Sequence, residues 1–594
     1  MRIKMIKAPY NFVPLNKEVF YPSWSNEPYD ISHDVPFKDG ESGEIDIKIT
    51  AESPIFIRNH SNDKDKPSSK FCNHKNIKYI PGSSLKGVIK TLVEIIGFSK
   101  LEIQDKTLSY RDLYNPSYKR KAMDGDKIYM GWLHKNNKNW IIENIGKITE
   151  GYTRIKYTEM EKYFSKSIVN NIKKTKEAYK KYELVDFNQL NIDKGTIVFT
   201  GSTGNKTREF LFPNVSPIDT YTFEESDKLI KTFEEAYYIG TPDESKDWKY
   251  LWKKRVSEGN KIPVFFQLDD NGDLKHFGLS MLYKLPYKYS LQKILEKYQD
   301  FSSKKDLAET IFGYTNDEDS LKGRVQFSHL KCIKEVKYNK ELALPLSSPR
   351  PTFYPNYLVQ CIENGKTNKF ITYDRLDAIL RGFKMYPPRK NPIEEAKNEK
   401  DENFCTKNSK LCTKFTPLNK GSVFEGTIRF HNLKKVEIGA LVSALTFINQ
   451  NKEEKYFHKI GMGKAYGFGT TTIKINSFKT YTSKSYSNKS ADTYINDFLN
   501  FLNKELSTDL LKHPRIKALL KLSSYSFEDE DLEFMQLKEF ANAKNDSNKF
   551  CLDEVVENAY DKAKICKKDK KNKPNSTPKG NKTVDDLSNF FNNR

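Results

Sequence analysis

The 594-residue chain lacks the marks of a metal-bound, secreted or membrane protein. Its seven cysteines form no CxxC pair, and neither Cys72 with His74 nor Cys405 with Cys412 supplies four ligands at zinc spacing. The N-terminal segment has no continuous apolar stretch of the signal-peptide type. The longest apolar segment, 436–448, is too short and too polar to span a bilayer. We therefore expect a cytoplasmic, soluble protein with reduced thiols and no membrane partner.

A nucleotide-hydrolysis motif is also missing. Such a loop needs a lysine followed by serine or threonine, whose hydroxyl binds magnesium. Here Lys464 is followed by Ala465 and Lys86 by Gly87. The glycine-rich segment around Lys464 leads into a strand, whereas a dinucleotide-binding fingerprint opens a helix. These patterns argue against an ATPase, a GTPase or a dehydrogenase.

Positive charge, in contrast, is in excess. The chain has 100 Lys and Arg against 78 Asp and Glu, which gives a formal net charge of +22. A surplus of this size indicates a polyanionic partner, usually nucleic acid. A genome rich in A and T would favour lysine codons and is the simplest alternative. Such a bias explains lysine in place of arginine better than it explains the net excess.

The first regular pattern is a strand followed by a helix. Residues 43–51 alternate strictly between apolar and polar side chains, which predicts a half-buried strand. In the stretch 79–96, Pro81 and Gly82 predict a turn, and Ser83 or Ser84 is expected to cap the following helix. Leucine, isoleucine and valine then recur at helical spacing and form one apolar face.

The same order returns near the other end of the chain. Residues 421–433 alternate like a strand, and 435–448 carry apolar residues at helical spacing. A glycine-rich loop and a β-branched strand follow, over 458–475. Two strand–helix units predict an α+β fold, with a ferredoxin-like (RRM-like) sheet and two helices on one face.

The remaining segments are interpreted as additions to this core. A core of this kind needs far fewer residues than the chain has, so the middle is read as insertions. The C-terminal end is rich in lysine and is predicted to be a disordered tail. The expected divisions are 40–100, first half of the core; 101–300, an insertion subdomain; 301–420, further core strands and insertions; 421–477, second half of the core; 478–560, a linker and helical segment; and 561–594, the tail.

The glycine-rich loop is a candidate phosphate-binding element. Glycines at this density allow positive φ and close approach of backbone N–H groups to a phosphate. Tyr466 and Phe468 offer rings on which bases can stack. A tight turn is the alternative, although one glycine would suffice for a turn. The candidate RNA-binding residues here are Lys459, Gly461, Gly463, Lys464, Gly467 and Gly469.

The start of the first helix is the second candidate. Lys86 is expected in the first turn, where the helix dipole disfavours a cation unless an anion is bound there. A plain capped helix with a solvated lysine is the alternative, and spacing does not separate the two. The candidate residues are Ser83, Ser84, Lys86 and Gly87.

Three segments together resemble the RAMP superfamily of CRISPR-associated proteins. These are IPGSSLKGVIKTLVE (80–94), IFGYTNDEDSLKGRVQF (311–327) and GMGKAYGFGT (461–470), and they occur in the family's order. The resemblance implies an RRM-derived core that grips CRISPR guide RNA through its phosphates. It further implies a backbone-like subunit of a type III antiviral interference complex, with guide RNA, target RNA and other effector subunits as partners.

Some members of the family also cut target RNA with an aspartate and a divalent metal. The matching loop, between the first strand and the first helix, offers Asp63 and Asp65 as catalytic candidates. The resemblance thus implies Mg²⁺ for cleavage and no cofactor for RNA binding. A solvated polar loop is the simpler interpretation of these residues.

Two further functions fit parts of the pattern. A metal-independent endoribonuclease that processes precursor CRISPR RNA would use His60 or His458 as general base. Such enzymes are shorter and do not usually carry the helix start found here. A general polyanion-binding protein would bind mainly through its tail.

Overall fold

In the computed structural model, two compact units are distinguished. The first comprises residues 1–104, 292–347 and 353–569, and the second comprises 105–291, 348–352 and 570–594. The structure describes residues 6–25, 31–60, 68–103, 105–111, 118, 128–148, 153–201, 206–237, 245–315, 320–338, 340–346, 351–361, 370–394, 405, 412–448, 454–482, 486–487, 489–535, 539, 551–557, 559–560, 562 and 566.

The first unit contains the predicted core. Its elements are β1 (Glu41–Ala51), α1 (Gly82–Ile96), β2 (Leu330–Lys334), β3 (Val423–Leu433), α2 (Lys435–Thr446) and β4 (Thr470–Tyr481). The central sheet has the order β4-β1-β3-β2, and all three pairings are antiparallel. This is the βαββαβ order of a ferredoxin-like sheet, so the predicted fold class is confirmed.

Further short strands extend the central sheet. His458–Lys459 and Tyr486–Ser487 pair with β4, Val325–Phe327 pairs with β3, and Ile77–Ile80 with Asn73–His74 continue beyond β2. The other strands of this unit are Asn11–Val13, Gly313–Thr315, Ser320–Lys322, Leu342–Leu344, Phe383–Met385 and Thr413–Phe415.

The predicted alternation of β1 is confirmed. Ile45, Ile47, Ile49 and Ala51 are buried at 0–1% exposure, whereas the residues between them are half-buried. Burial of one such aliphatic side chain stabilises the fold by about 1.5–3 kcal/mol. The apolar face of α1 joins the same core. The alternation of this one strand therefore fixes which face of the sheet the helices cover.

The segment after residue 478 is more ordered than its composition indicates. Helices Ala491–Glu505 and Pro514–Leu522 both contribute to the main hydrophobic core. Tyr494 is fully buried, and its hydroxyl lies 3.0 Å from the hydroxyl of Thr480 on β4. The helices of the predicted linker and helical segment are thus part of the first unit. The remaining helices of this unit are Leu307–Phe312 and Tyr354–Tyr357.

The second unit has a core of its own. It contains a five-stranded and a four-stranded antiparallel sheet. Its strands are Ser109–Tyr110, Tyr129–Asn136, Asn139–Lys147, Arg154–Lys156, Asn191–Ile192, Gly195–Val198, Arg208–Phe212, Asp219–Glu224, Ile262–Leu268, Leu274–Gly278 and Leu285–Pro286. Its helices are Tyr157–Met160, Lys166–Lys174, Ala178–Tyr182, Lys228–Ala236 and Lys253–Ser257, and helix Leu291–Tyr298 begins at its boundary.

The expectations about the cysteines and about membrane-spanning helices can be compared with the structure. Cys361 pairs with Cys566 and Cys405 with Cys412 in disulfides, so the expectation that every thiol is reduced is wrong. Within the described ranges, no helix has both the length and the apolar composition to cross a membrane.

Candidate nucleic-acid interface

The first turn of α1 has no side-chain cap. Pro81 occupies the N-cap position, and the N–H of Gly82 donates to Nδ1 of His329 at 3.1 Å. The expectation that Ser83 or Ser84 caps the helix is therefore wrong, because the helix already begins at Gly82. Gly82 is required there, since a Cβ would lie 2.2 Å from the carbonyl oxygen of Phe327.

The residues that follow form an exposed surface on the same turn. Ser83 and Gly87 are exposed, and Ser84 and Lys86 are half-buried. No acidic residue lies in this first turn, and Lys86 makes no ion pair with any residue that the structure describes. A Cβ built on Gly87 would meet nothing within 4 Å. The surface therefore carries a free cation and a helical glycine that no internal packing requires.

The third motif, the G-R segment, has a structural role. The Arg324 side chain is fully buried and bonds the carboxylate of Glu437 and the carbonyl oxygen of Asn432. Its Nε donates to the carbonyl oxygen of Thr310 at 2.9 Å. Glu437 also accepts the backbone N–H of Lys434 at 2.9 Å, which caps α2. Arg324 thus links the helix Leu307–Phe312 to the start of α2.

The glycine loop, residues 460–469, has the backbone conformation that the sequence indicates. Its four glycines have positive φ, at 92°, 72°, 88° and 72° for Gly461, Gly463, Gly467 and Gly469. A Cβ at Gly461 would lie 2.3 Å from the carbonyl oxygen of Phe56, and one at Gly469 would lie 2.0 Å from that of Ile460. These two glycines are required by close backbone packing as well as by φ.

Most donors of the loop point inward. The N–H groups of Met462 and Gly469 donate to residues after β1, and those of Tyr466, Gly467 and Phe468 close turns inside the loop. Among the described residues, the N–H groups of Gly461, Gly463, Lys464 and Ala465 have no hydrogen-bond partner. Four backbone donors of the loop therefore have no acceptor within the described part of the chain.

Two lysines of the loop differ in their surroundings. Lys459 is 9% exposed, and its ammonium donates to the Thr470 hydroxyl at 2.9 Å. Burial lowers the pKa of Lys459 well below its ordinary value, and the nearby charges of Lys464 and Arg389 lower it further. Burial also lowers the pKa of Lys464, which makes no ion pair with a described residue. Two lysines with lowered pKa values thus lie on the same loop as the free N–H groups.

Arg389 also lies beside the glycine loop, although the sequence patterns did not select it as a site residue. Its side chain packs on Gly467, where a Cβ would lie 3.1 Å from its own Cβ. Its Nη1 donates to the carbonyl oxygen of Leu532 at 2.8 Å. The only sequence signal is a basic residue in RGFKMYPPR (381–389), far from the loop along the chain.

The loop's aromatic rings do not face solvent. Tyr466 is 5% exposed and Phe468 is fully buried, with its ring against that of Phe415 at 5.7 Å. The Tyr466 hydroxyl donates to the carbonyl oxygen of Pro345 at 3.0 Å. The expectation that these rings stack on bases is therefore wrong, because both anchor the loop to the core.

The candidate catalytic groups are placed unevenly. Asp63 and Asp65 lie outside the described residues, and in the described part no cluster of three or more His, Cys, Asp or Glu side chains could hold a metal ion. His458 is buried, and its Nε2 lies 3.0 Å from the carbonyl oxygen of Ala444. Burial lowers the pKa of His458 to about 4. His60 is exposed, so a general base open to RNA would be His60 rather than His458.

The helix start and the glycine loop lie at opposite edges of the core sheet. The loop precedes β4, whereas α1 follows strand Ile77–Ile80, which pairs with β2. The path from β4 to this strand crosses four strand spacings of about 4.8 Å, or roughly 19 Å. No hydrogen bond or ion pair joins the two elements within the described part of the chain. They are therefore two separate candidate elements, called the anion-facing elements below, rather than one pocket.

Comparison with known proteins identifies the family. The search of curated proteins finds no match. Among solved structures, the chain is similar to Csc2 of Thermofilum pendens, with 10% identity over 86% of this chain and 92% of the other and a TM-score of 0.22. A chain of a CRISPR RNA-guided surveillance complex in a pre-nicking state has 9% identity over 78% and 90%, with a TM-score of 0.19. Neither TM-score is high enough to bear on function. The model of the RAMP superfamily matches residues 48–472, which include both anion-facing elements, and the chain therefore belongs to the RAMP superfamily.

Proposed function

We propose that this chain is a CRISPR-associated RNA-binding subunit of a type III antiviral interference complex, and that it grips guide RNA by its phosphates. Family membership and the net charge of +22 support this function. The partners in this proposal are guide RNA, target RNA and other effector subunits, and the complex acts in the cytoplasm. RNA binding itself requires no cofactor.

The observation that carries the proposal is Gly87. A glycine inside an exposed helix costs about 1 kcal/mol relative to alanine, and nothing within 4 Å of its Cβ position explains the choice. Close approach of an RNA backbone does explain it, because a phosphate can then reach Lys86 and Ser83 beside it. The Lys86 ammonium would add to the positive end of the helix dipole, and the phosphate would in turn offset the repulsion between the two.

At the other edge of the sheet, the glycine loop supplies a second grip. The free N–H groups of Gly461 and Gly463 can donate to phosphate oxygens, and Lys464 adds charge. Lys459 is buried and donates to Thr470, so it contributes by its field and by shaping the loop. Neither element reads a base edge, so binding is expected to be independent of sequence.

The direct test is replacement of one lysine in each element. Lys86→Ala with Lys464→Ala should weaken binding of all single-stranded RNAs alike. The slope of log K against log salt should flatten by roughly 0.7 for each lost phosphate contact. A matched control is Lys166→Ala with Lys228→Ala, which removes two exposed first-turn lysines from helices of the second unit. Equal slopes in the test and control variants would refute the proposal.

The class of RNA is tested by purification from the native host and sequencing of co-purifying RNA. Guides derived from CRISPR repeats are expected. Random cellular RNA would instead favour a general polyanion-binding protein, and deletion of 560–594 would then abolish most of the affinity.

Cleavage of target RNA is the finer part of the proposal. Asp63 or Asp65 would hold Mg²⁺ and assist attack on a guide-paired target. Cutting should stop with EDTA and with the double alanine variant, while guide binding persists. Cutting of precursor RNA that resists EDTA would instead support the processing endoribonuclease, with His60 as its base.

A further inference from the structure

A lysine surrounded by three tyrosines lies outside both anion-facing elements. The ammonium of Lys384 is 3.7 Å from the ring centroid of Tyr10, 5.5 Å from that of Tyr357 and 5.3 Å from that of Tyr386. It also donates to the Tyr357 hydroxyl at 3.0 Å. We call these four residues the lysine–tyrosine cluster.

Three separate segments of the first unit build the cluster. Lys384 and Tyr386 belong to the strand Phe383–Met385 and the residue after it, and this strand pairs with Asn11–Val13, next to Tyr10. The Tyr10 hydroxyl accepts a hydrogen bond from Nδ2 of Asn356 at 3.3 Å. The rings are therefore held in place before any ligand arrives.

No carboxylate in the described part of the chain pairs with the charge in this cluster. Lys384 is half-buried and forms no ion pair with a described residue. Burial alone lowers the pKa of Lys384 to about 8, with no acidic group opposing that shift. A partly desolvated ammonium is costly when it is unpaired, and the ring faces offset only part of this cost. An external anion would offset the rest.

The three tyrosines of the cluster are partly exposed. Tyr10, Tyr357 and Tyr386 are all half-buried, and the ring of Tyr10 meets the other two at 5.9 and 6.1 Å with interplanar angles of 51° and 70°. Rings at such angles present faces in different directions. This differs from Tyr466 and Phe468 of the glycine loop, which are enclosed in the core.

We propose that the lysine–tyrosine cluster binds one nucleotide of single-stranded RNA, with the Lys384 ammonium on a phosphate and a tyrosine ring stacked on the base. This inference rests on the proposed function, and it adds a stacking site that the two phosphate-gripping elements lack. Proteins bind single-stranded nucleic acid with positive charge on the phosphates and aromatic rings on the bases. The cluster offers both.

The position of Lys384 among the three rings argues against a cationic ligand. Aromatic cages bind quaternary ammonium groups, but here the chain's own ammonium already fills the space among the rings. A second cation would be repelled, whereas an anion would be attracted. The cluster therefore selects a negatively charged ligand with a flat apolar part.

The test uses the full-length chain and two probes of equal length, a fluorescein-labelled oligouridylate and its abasic counterpart. Lys384→Gln should weaken binding of both probes and flatten the salt slope by roughly 0.7. Tyr386→Leu should weaken binding of the oligouridylate by about tenfold and leave the abasic probe unchanged. Lys228→Gln and Tyr250→Leu are matched controls on exposed side chains of the second unit.

The outcomes separate this inference from the proposed function. If folded Lys384→Gln and Tyr386→Leu bind both probes like the wild type, the cluster is only a latch between the N-terminal strand and its partner, and the inference is refuted. Loss of binding in the Lys86/Lys464 variant would then still support the proposed function. Should Lys384→Gln fail to fold, Tyr386→Leu decides alone, because Tyr386 makes no hydrogen bond to Lys384.

Discussion

The helix start and the glycine loop use glycine for opposite reasons. A side chain at Gly87 would point into open space, whereas one at Gly461 or Gly469 would collide with backbone at 2.3 or 2.0 Å. Packing within the chain therefore requires Gly461 and Gly469 but not Gly87, which we assign to the proposed RNA contact. Glycines in two motifs of one family can thus differ in what a substitution does to the protein.

The largest effect is expected at Gly469. Gly469→Val combines a positive φ of 72° with a clash against Ile460, so we expect a loss of about 3–5 kcal/mol in the free energy of unfolding. Urea denaturation followed by circular dichroism measures it. Gly272→Val is the control, since Gly272 has a φ of 89° with open space around it. Equal losses in the two variants would show that φ, not packing, requires the glycine.

A smaller effect is expected at Gly467. Gly467→Val strains a φ of 88° and presses on Arg389 and Pro392 at about 3.1 Å. We expect the fold to survive with a loss of about 1–3 kcal/mol, and RNA affinity to fall because the loop shifts. Filter binding with RNA on the folded variant measures the second effect. Normal affinity would reduce the loop to a turn.

The comparison is sharpest at Gly87, where stability and binding should change in opposite directions. Gly87→Ala should raise the free energy of unfolding by about 0.5–1 kcal/mol, because alanine is the better helix former. It should weaken RNA binding, because a methyl group blocks backbone approach. Gly439→Ala in α2 is the contrast, since its Cβ would lie 2.1 Å from the carbonyl oxygen of Tyr494 and must destabilise. An unchanged RNA affinity in Gly87→Ala would contradict the proposed contact.

The smallest effect concerns pH at the glycine loop. Burial lowers the pKa of Lys464, and Lys459, whose own pKa is lowered by burial and by the charges of Lys464 and Arg389, lies nearby. Phosphate binds the charged form, so affinity should fall as pH rises through this lowered pKa, before ordinary lysines lose their protons. Lys464→Arg should keep its charge and reduce that fall to the part that Lys459 contributes. Affinity measured across alkaline pH at constant salt checks both variants, and identical profiles would exclude Lys464 from the contact.

Sequence patterns predict the local parts of this molecule well. The alternation in β1 and the helical spacing in α1 and α2 identify the ferredoxin-like core, because each depends on residues a few positions apart. The positive φ of the loop glycines follows from their density alone. The family motifs then select residues that lie on two exposed or charged elements.

Contacts between distant residues account for what the sequence patterns miss. His329 satisfies the N–H of Gly82 across 247 positions, and Arg324 reaches Glu437 across 113. Burial of Phe468 depends on Phe415, which no periodicity connects to it. An aromatic residue in a loop carries the same letter whether its ring faces solvent or the core. Only the fold distinguishes a stacking platform from an anchor.

The separation of the two anion-facing elements makes the core sheet a bivalent receptor. An RNA fragment too short to cross four strand spacings engages one edge at a time and behaves as a monovalent ligand. A strand long enough to reach both edges makes its second contact within one complex, at an effective concentration far above its concentration in solution. Affinity should therefore rise with RNA length as a step, and the position of that step measures the distance that the bound strand travels across the sheet.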